Sequence, residues 1–312
     1  MKWLIIQFLG TSAGTPTRSR GLPSVLVYDG RRYILLDCGE GTQYRLLQVG
    51  VSVCRIDIVL ITHLHGDHVF GLPGLISSMA LLGRVKNLKI FGPVGLLDML
   101  ESCIKFLNTL PFKVEIFEIE DFNDTNPKII LAEDDLEISC IKTMHSTTNF
   151  AYRLRWYIPL GKFKPEVAKK LNIPTRYWKL LHTGHVVTLE DGRIIRPEDV
   201  VELRRRQPLT IVYTGDTAPC ENVVEISKDA DVLIHEATFS GDEKPEDVWS
   251  QGHSRTIDAA NIAARANVKM LILTHISARY EGLEDKLLEE ARRYFKNTYI
   301  AYDLQKFYIE PY

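Results

Sequence analysis

One short run of residues constrains this chain more than any other feature: a crowd of metal-binding side chains at the end of an apolar strand. Thr62-His63-Leu64-His65-Gly66-Asp67-His68 follows Ile56-Asp57-Ile58-Val59-Leu60-Ile61, whose β-branched apolar character reads as a buried strand. Three imidazoles and a carboxylate therefore share the loop where that strand ends. Imidazole nitrogen and carboxylate oxygen are the donors preferred by borderline metals such as Zn²⁺. Alternation along an extended turn puts His63 and His65 on one side, able to share an ion. Asp67 and His68 then point elsewhere and can hold a second.

The same arrangement recurs along the chain. His145 follows the apolar run Leu136-Glu137-Ile138-Ser139-Cys140-Ile141, and His275 follows Leu271-Ile272-Leu273-Thr274. Asp216 follows Ile211-Val212-Tyr213-Thr214-Gly215. A lone histidine after a strand is usually a satisfied loop or core residue. Four such loops carry more weight, because strand ends on one rim of a layered fold converge on one pocket.

Around these loops the pattern mixes short strands and helices. Strands are expected at 3–9, 24–28 and 32–37, with turns at Asp29-Gly30 and Cys38-Gly39-Glu40-Gly41. A helix is expected from Leu72 to Leu82, a strand at 88–91 ended by Gly92-Pro93, and a helix from Leu96 to Asn108. Strands near 113–118 and 136–142 follow. The second half predicts strands at 211–213, 232–234, 270–273, 298–302 and 306–309, with helices from Thr256 to Ala266 and from Leu283 to Phe295. Strands and helices in both halves imply an α/β fold of sheets sandwiched between helices. The stretch 159–207, rich in Lys, Arg, Pro and Gly, interrupts the pattern and reads as an insertion projecting from a single 1–312 domain.

Composition narrows the class. The 312 residues are 45% hydrophobic and 25% charged, which suits a soluble globular chain. Five scattered cysteines (Cys38, Cys54, Cys103, Cys140 and Cys220) form no C-x-x-C pair, which argues against a disulfide framework or a thiolate zinc site. A reducing, cytoplasmic location fits best. No stretch reaches the roughly 20 apolar residues of a membrane span, so no membrane partner is expected. Charge is uneven: between Arg153 and Lys179 stand eight basic residues and one acid, a local +7, so a net −2 leaves −9 elsewhere. That asymmetry points to a local polyanion contact. Trp156, Tyr157, Phe163, Tyr177 and Trp178 interleave with the cations, offering faces that can stack on bases.

Several blocks together carry a family resemblance. They are Phe8-Leu9-Gly10-Thr11-Ser12-Ala13-Gly14-Thr15-Pro16, Leu36-Asp37-Cys38-Gly39-Glu40-Gly41-Thr42-Gln43, Thr62 to Gly71, Tyr213-Thr214-Gly215-Asp216-Thr217, His235-Glu236-Ala237-Thr238-Phe239 and Leu273-Thr274-His275-Ile276-Ser277-Ala278-Arg279-Tyr280. The chain resembles the metallo-β-lactamase superfamily and, more closely, the ribonuclease Z family of tRNA 3′-processing endonucleases. The resemblance implies a four-layer αβ/βα sandwich with an inserted basic arm, and two Zn²⁺ per subunit. It assigns His63, His65 and His145 to one zinc and Asp67, His68 and His275 to the other, with Asp216 bridging. It further implies precursor tRNA as substrate, a homodimer, and an arm from one subunit serving the other's active site. The arm cations expected to meet tRNA are Lys162, Lys164, Lys169, Lys170 and Arg176.

Two metals suit in-line displacement at phosphorus. Asp67 is expected to orient the attacking water and accept its proton. His253, in Gln251-Gly252-His253-Ser254, is expected to protonate the leaving 3′-oxygen, with Glu236 holding its tautomer. This chemistry leaves a 3′-hydroxyl upstream and a 5′-phosphate on the trailer. His235 is expected to be structural, and His182 and His185 exposed and not ligands. Two departures from the family stand out. The usual His-Ser-Thr is here His253-Ser254-Arg255-Thr256, which places an extra cation either near the phosphate path or in solvent. The Gly-Pro pair common in family arms is replaced by Asn172-Ile173-Pro174. Fold relatives acting on other RNA or small phosphodiesters share the ligand set but need no basic arm. A redox di-iron relative would carry an acid where His65 stands.

Overall fold

Apolar residues on both faces of a strand oblige it to be covered twice. In the computed structural model, Ile58 and Leu60 of strand Ile56–Leu60 face the space between two sheets, while Val59 and the following Ile61 face helices. The structure describes residues 3–104, 109–122, 124–157, 161–203 and 208–310.

Each large sheet has seven strands. The first runs, in spatial order, Lys306–Ile309, Leu4–Gly10, Ser24–Tyr28, Tyr33–Leu36, Ile56–Leu60, Leu88–Pro93 and Val114–Ile119. The second runs Thr298–Ile300, Met270–Thr274, Val232–Glu236, Leu209–Tyr213, Phe150–Trp156, Leu136–Lys142 and Lys128–Glu133. Phe8, Ile34 and Leu60 of the first sheet meet Ile138, Tyr152 and Ile234 of the second in one buried core. Helices Thr42–Gln48, Gly71–Leu81 and Leu96–Cys103 cover the outer face of the first sheet; Glu221–Ser227, Thr256–Arg265 and Glu284–Arg292 cover the second. The result is the four-layer sandwich that the resemblance implies.

Most expected elements appear within a residue or two, and the differences have physical causes. Gly92-Pro93 does not end its strand, because the pairing continues through Gly92↔Glu118 and Pro93↔Ile119. The helix from Leu96 closes at Cys103; residues 105–108 of the expected span lie outside the described residues. Phe150–Trp156 is a central strand absent from the sequence-based expectation, since its alternate arginines count there as arm charge. Arg153 donates to Ser139 Oγ (3.3 Å) and Arg155 faces Glu137 (3.7 Å), both on the sheet's outer face. Strand Lys128–Glu133 and helices Thr42–Gln48 and Glu221–Ser227 are likewise additions to the expected elements.

Within the inserted stretch, strand Gly161–Phe163 pairs antiparallel with Val201–Leu203, and Val187–Thr188 pairs with Ile194–Ile195. Three short helices, Pro165–Lys170, Trp178–His182 and Pro197–Val200, close over a small apolar cluster that includes Ala168, Leu181, Val187 and Val200. This cluster holds the arm's aromatic rings half-buried. Phe163 and Trp178 pack against each other at 5.2 Å, and Tyr177 packs against the same cluster. Trp156 is buried in the main core and donates to Asp29 Oδ2 (3.0 Å). Tyr157 donates to Glu137 (3.1 Å). The histidines of this stretch are half-buried, not exposed: a ring nitrogen of His182 bonds the Gly161 carbonyl (2.7 Å), and His185 bonds Thr183 Oγ1 (3.0 Å). The lysines 162, 164, 169 and 170 and Arg176 do lie exposed.

No helix among the described residues is long and apolar enough to cross a membrane. All five cysteines are free thiols.

Candidate metal centre

The seven expected donors come together at one rim of the sandwich, each on the loop that follows a strand. His63 and His65 lie just beyond Ile56–Leu60, and Asp67 and His68 sit in the helical turn Gly66–Val69. His145, Asp216 and His275 follow Leu136–Lys142, Leu209–Tyr213 and Met270–Thr274. Tight backbone geometry brings them close. Gly215 has φ +59, and a Cβ there would stand 2.6 Å from Thr62 Cβ. His275 itself adopts a left-handed φ of 57.

Two subsets form. His63, His65 and His145 face one another, with His145 Nε2 3.2 Å from His65 Nδ1. His68, Asp67 and His275 form the second: His68 Nε2 lies 3.3 Å from His275 Nε2, and Asp67 Oδ2 lies 3.5 Å from each of these nitrogens. Asp216 stands between them, Oδ1 at 3.4 Å from His68, and Oδ2 at 3.3 Å from His275 and 3.8 Å from His63.

These separations test the fit of a metal. Zinc bonds of about 2.0–2.1 Å in a tetrahedron place neighbouring donors about 3.3–3.4 Å apart. The His65–His145 spacing of 3.2 Å and the His68–His275 and Asp216–His275 spacings of 3.3 Å match that edge length, and the donor atoms of each subset all lie within 4.8 Å of one another. His63 Nε2 is buried without a hydrogen-bond partner, a state that costs about 1–3 kcal/mol unless something else satisfies the atom. A cation among the seven donors satisfies it. The nitrogen–oxygen donor set also suits zinc.

The remote nitrogen of four of the imidazoles is held by a partner, which fixes the direction of the other. His63 Nδ1 meets Thr62 Oγ1 (3.0 Å), His68 Nδ1 meets Asp37 Oδ2 (2.7 Å), His145 Nδ1 donates to the Gly252 carbonyl (2.8 Å), and His275 Nδ1 meets Thr238 Oγ1 (2.8 Å). Gly252 has to be glycine: at φ +78 its Cβ would fall 2.7 Å from His145 Nδ1. Asp67 Oδ2 accepts from the Gly14 backbone amide (3.0 Å) in the first glycine loop.

The electrostatics suit cation binding. Burial, reinforced by the neighbouring His68, pushes His63 well below the usual imidazole range, so it is neutral. Burial likewise lowers His145. Burial opposes charge on Asp67, yet its hydrogen bonds to His275 and His68 hold its carboxyl well below the carboxylate range. Asp216 is held down in the same way by His275 and His68. His68 is pulled well above its ordinary value, against burial, by Asp216 and Asp37. A proton there occupies the position between carboxylates that a metal would take.

Glu236 and His253 border the cluster. Glu236 is buried at the end of strand Val232–Glu236; its Oε1 meets His253 Nδ1 (2.9 Å) and accepts from the Thr217 amide (2.9 Å). Burial works against a charged His253, but the charge and hydrogen bond of Glu236, aided by Asp216, raise it to about 9. His235 points away, buried, with its Nδ1 bonded to the Glu236 carbonyl (2.6 Å).

Arg255 does not face solvent. It is buried and forked onto Asp258 through Nε and Nη2 (both 2.9 Å), with Nη1 on the Glu243 carbonyl (3.1 Å). It locks the start of helix Thr256–Arg265.

Sequence reasoning misses Asp37. This buried carboxylate accepts from the Thr62 amide (2.8 Å), from Thr62 Oγ1 and from the Tyr213 hydroxyl (2.8 Å) while holding His68. A signal exists, since Asp37 follows strand Tyr33–Leu36 just as Asp216 follows its own. Thr238 and Gly252 are harder to find, because hydroxyl and backbone partners carry no titratable signature.

Fold and donor cluster together define the metallo-β-lactamase class of metal-dependent hydrolases. Two family models match parts of the chain: the beta-lactamase superfamily domain over residues 190–276 and the anti-Pycsar protein Apyc1 over residues 4–159. A ribonuclease BN from Proteus mirabilis is 39% identical over 97% of this chain and 99% of its own length. A ribonuclease Z from Nostoc sp. PCC 7120 is 40% identical over 97% and 94%. In structure, the short form of human tRNase Z superposes with a TM-score of 0.70 at 24% identity, covering 97% of this chain and 98% of that one. The chain belongs to the ribonuclease Z family of tRNA 3′-processing endoribonucleases.

Proposed function

We propose that this enzyme hydrolyses one phosphodiester at the 3′ trailer of precursor tRNA, with two zinc ions per subunit held by the seven donors. His63, His65 and His145 would hold one ion, Asp67, His68 and His275 the other, and Asp216 both. The reading rests on one observation above others: donor atoms from four separate loops stand at the edge lengths of zinc tetrahedra. When bound, the ions lower the pKa of a water and draw charge from the phosphoryl oxygens.

The chain's own groups do the rest. The Gly14 amide fixes Asp67 Oδ2, and this carboxylate orients the attacking water and takes its proton. The new bond forms from water oxygen to phosphorus as the bond from phosphorus to the 3′-oxygen breaks. His253 donates through Nδ1 to Glu236, which leaves the Nε2 proton for that departing oxygen. The tRNA keeps a 3′-hydroxyl and the trailer a 5′-phosphate.

The inserted stretch 159–207 is assigned to grip the tRNA backbone, on a single 1–312 domain. Lys169 is shared with Glu166 (3.4 Å) and Arg176 is paired with Glu190, so Lys162, Lys164 and Lys170 are the readier phosphate partners. With Phe163, Tyr177 and Trp178 half-buried against the arm's apolar cluster, the exposed lysines supply most of the contact to the tRNA backbone. The assembly proposed is a homodimer in the cytoplasm, each arm serving the partner's cluster.

Mapping the product ends of a trailer-bearing tRNA precursor tests the proposal. A 3′-hydroxyl tRNA and a 5′-phosphate trailer, formed only with metal, are expected. A 2′,3′-cyclic phosphate, or cleavage in the presence of chelator, would contradict it.

A further inference from the structure

Between the donor cluster and the His253–Glu236 pair stands one hydroxyl. Thr238 Oγ1 lies 2.7 Å from Glu236 Oε2 and 2.8 Å from His275 Nδ1. It is also 3.4 Å from His253 Nδ1. A hydroxyl carries one proton and two lone pairs. A carboxylate oxygen at 2.7 Å can only accept, so the Thr238 proton goes to Glu236. The imidazole must then donate, which places a proton on His275 Nδ1 and leaves the Nε2 lone pair facing Asp216 and His68.

From this we infer that Thr238 is a positioning residue that couples metal affinity to proton donation: its single hydroxyl fixes the His275 tautomer and, through Glu236, the orientation of His253. The inference rests on the reading of His275 as a ligand and His253 as the donor.

Geometry restricts the alternatives. The Thr238 amide also donates to Glu236 Oε2 (3.0 Å), and the Thr217 amide donates to Oε1. The carboxylate is thus clamped on both oxygens, with Oε1 turned to His253. Thr238 is buried, so no bulk water replaces its hydroxyl readily. Val fits the same space without the hydroxyl, and Ser keeps the hydroxyl without the methyl group.

The experiment compares wild type, Thr238→Val and Thr238→Ser for zinc dissociation constants, and for kcat and KM on a tRNA precursor at saturating zinc. Losing the partner of a ligating imidazole weakens metal binding by about 10–100-fold. Thr238→Val is expected to show that weakening together with a fall in kcat at unchanged KM, and Thr238→Ser to recover both. Thr238→Val with wild-type affinity and kcat would overturn the coupling. A Ser variant as impaired as the Val variant would also overturn it, because the methyl group would then be the part that matters. Should Thr238→Val fail to fold, nitrogen-15 NMR of the zinc-free wild type reads the tautomer of the neutral ring without the metal imposing it. A proton on His275 Nδ1 supports the inference, and a proton on Nε2 refutes it. Wild-type protein that neither binds zinc nor cleaves would instead sink the underlying functional reading.

Discussion

His253 is where burial and charge oppose each other most directly. Burial favours the neutral ring, yet Glu236 and Asp216 raise it to about 9 in the metal-free protein. A raised folded value stabilises the protein fully below the unfolded imidazole's value of about 6.5, and that stabilisation is lost as pH climbs towards the folded value. Denaturation of the metal-free wild type should therefore show a component that declines between those limits, and His253→Asn should lack it. The same variant distinguishes donor from ligand, since His253, Asp216 and His275 are close enough to share an ion. With Nδ1 already committed to Glu236, His253→Asn should keep its zinc and lose about 10²–10⁴ in cleavage rate. Loss of zinc on elemental analysis would contradict the role.

Among elements, the strand-end loops are legible in the sequence and the arm's interior is not. Unbroken apolar runs such as Ile58 to Ile61 announce strands covered on both faces, and their ends announce the donors. The arm buries Ala168, Leu181, Val187 and Val200 from very short elements, too brief for any period to show. Phe150–Trp156 is hidden because Arg153 and Arg155 disguise a central strand. Asp37 and Thr238 escape because their roles lie in holding other side chains, and sequence spacing does not display that. The arm's pairing of Gly161 with Leu203 brings its two ends together, so 159–207 can be replaced by a short linker. That variant should lose cleavage of precursor tRNA and keep hydrolysis of a small chromogenic phosphodiester. Substituting Lys162, Lys164 and Lys170 by Glu should flatten the salt dependence of tRNA binding, by about 0.9 in the log–log slope for each phosphate left without its cation. Unchanged tRNA cleavage in both would remove the arm from the account.

At the scale of the molecule, two seven-stranded sheets stacked face to face bring four distant loops to one rim. His63 and His275 are over two hundred positions apart in sequence, yet both lie within 4 Å of Asp216. The sandwich thus acts as a jig for the cluster, with helices packed on the outer face of each sheet. The most direct test is anomalous diffraction at the zinc absorption edge from zinc-loaded crystals. The account predicts two peaks on either side of Asp216, one among His63, His65 and His145 and one among Asp67, His68 and His275. Zinc bound elsewhere, or no peak at this rim, would contradict it.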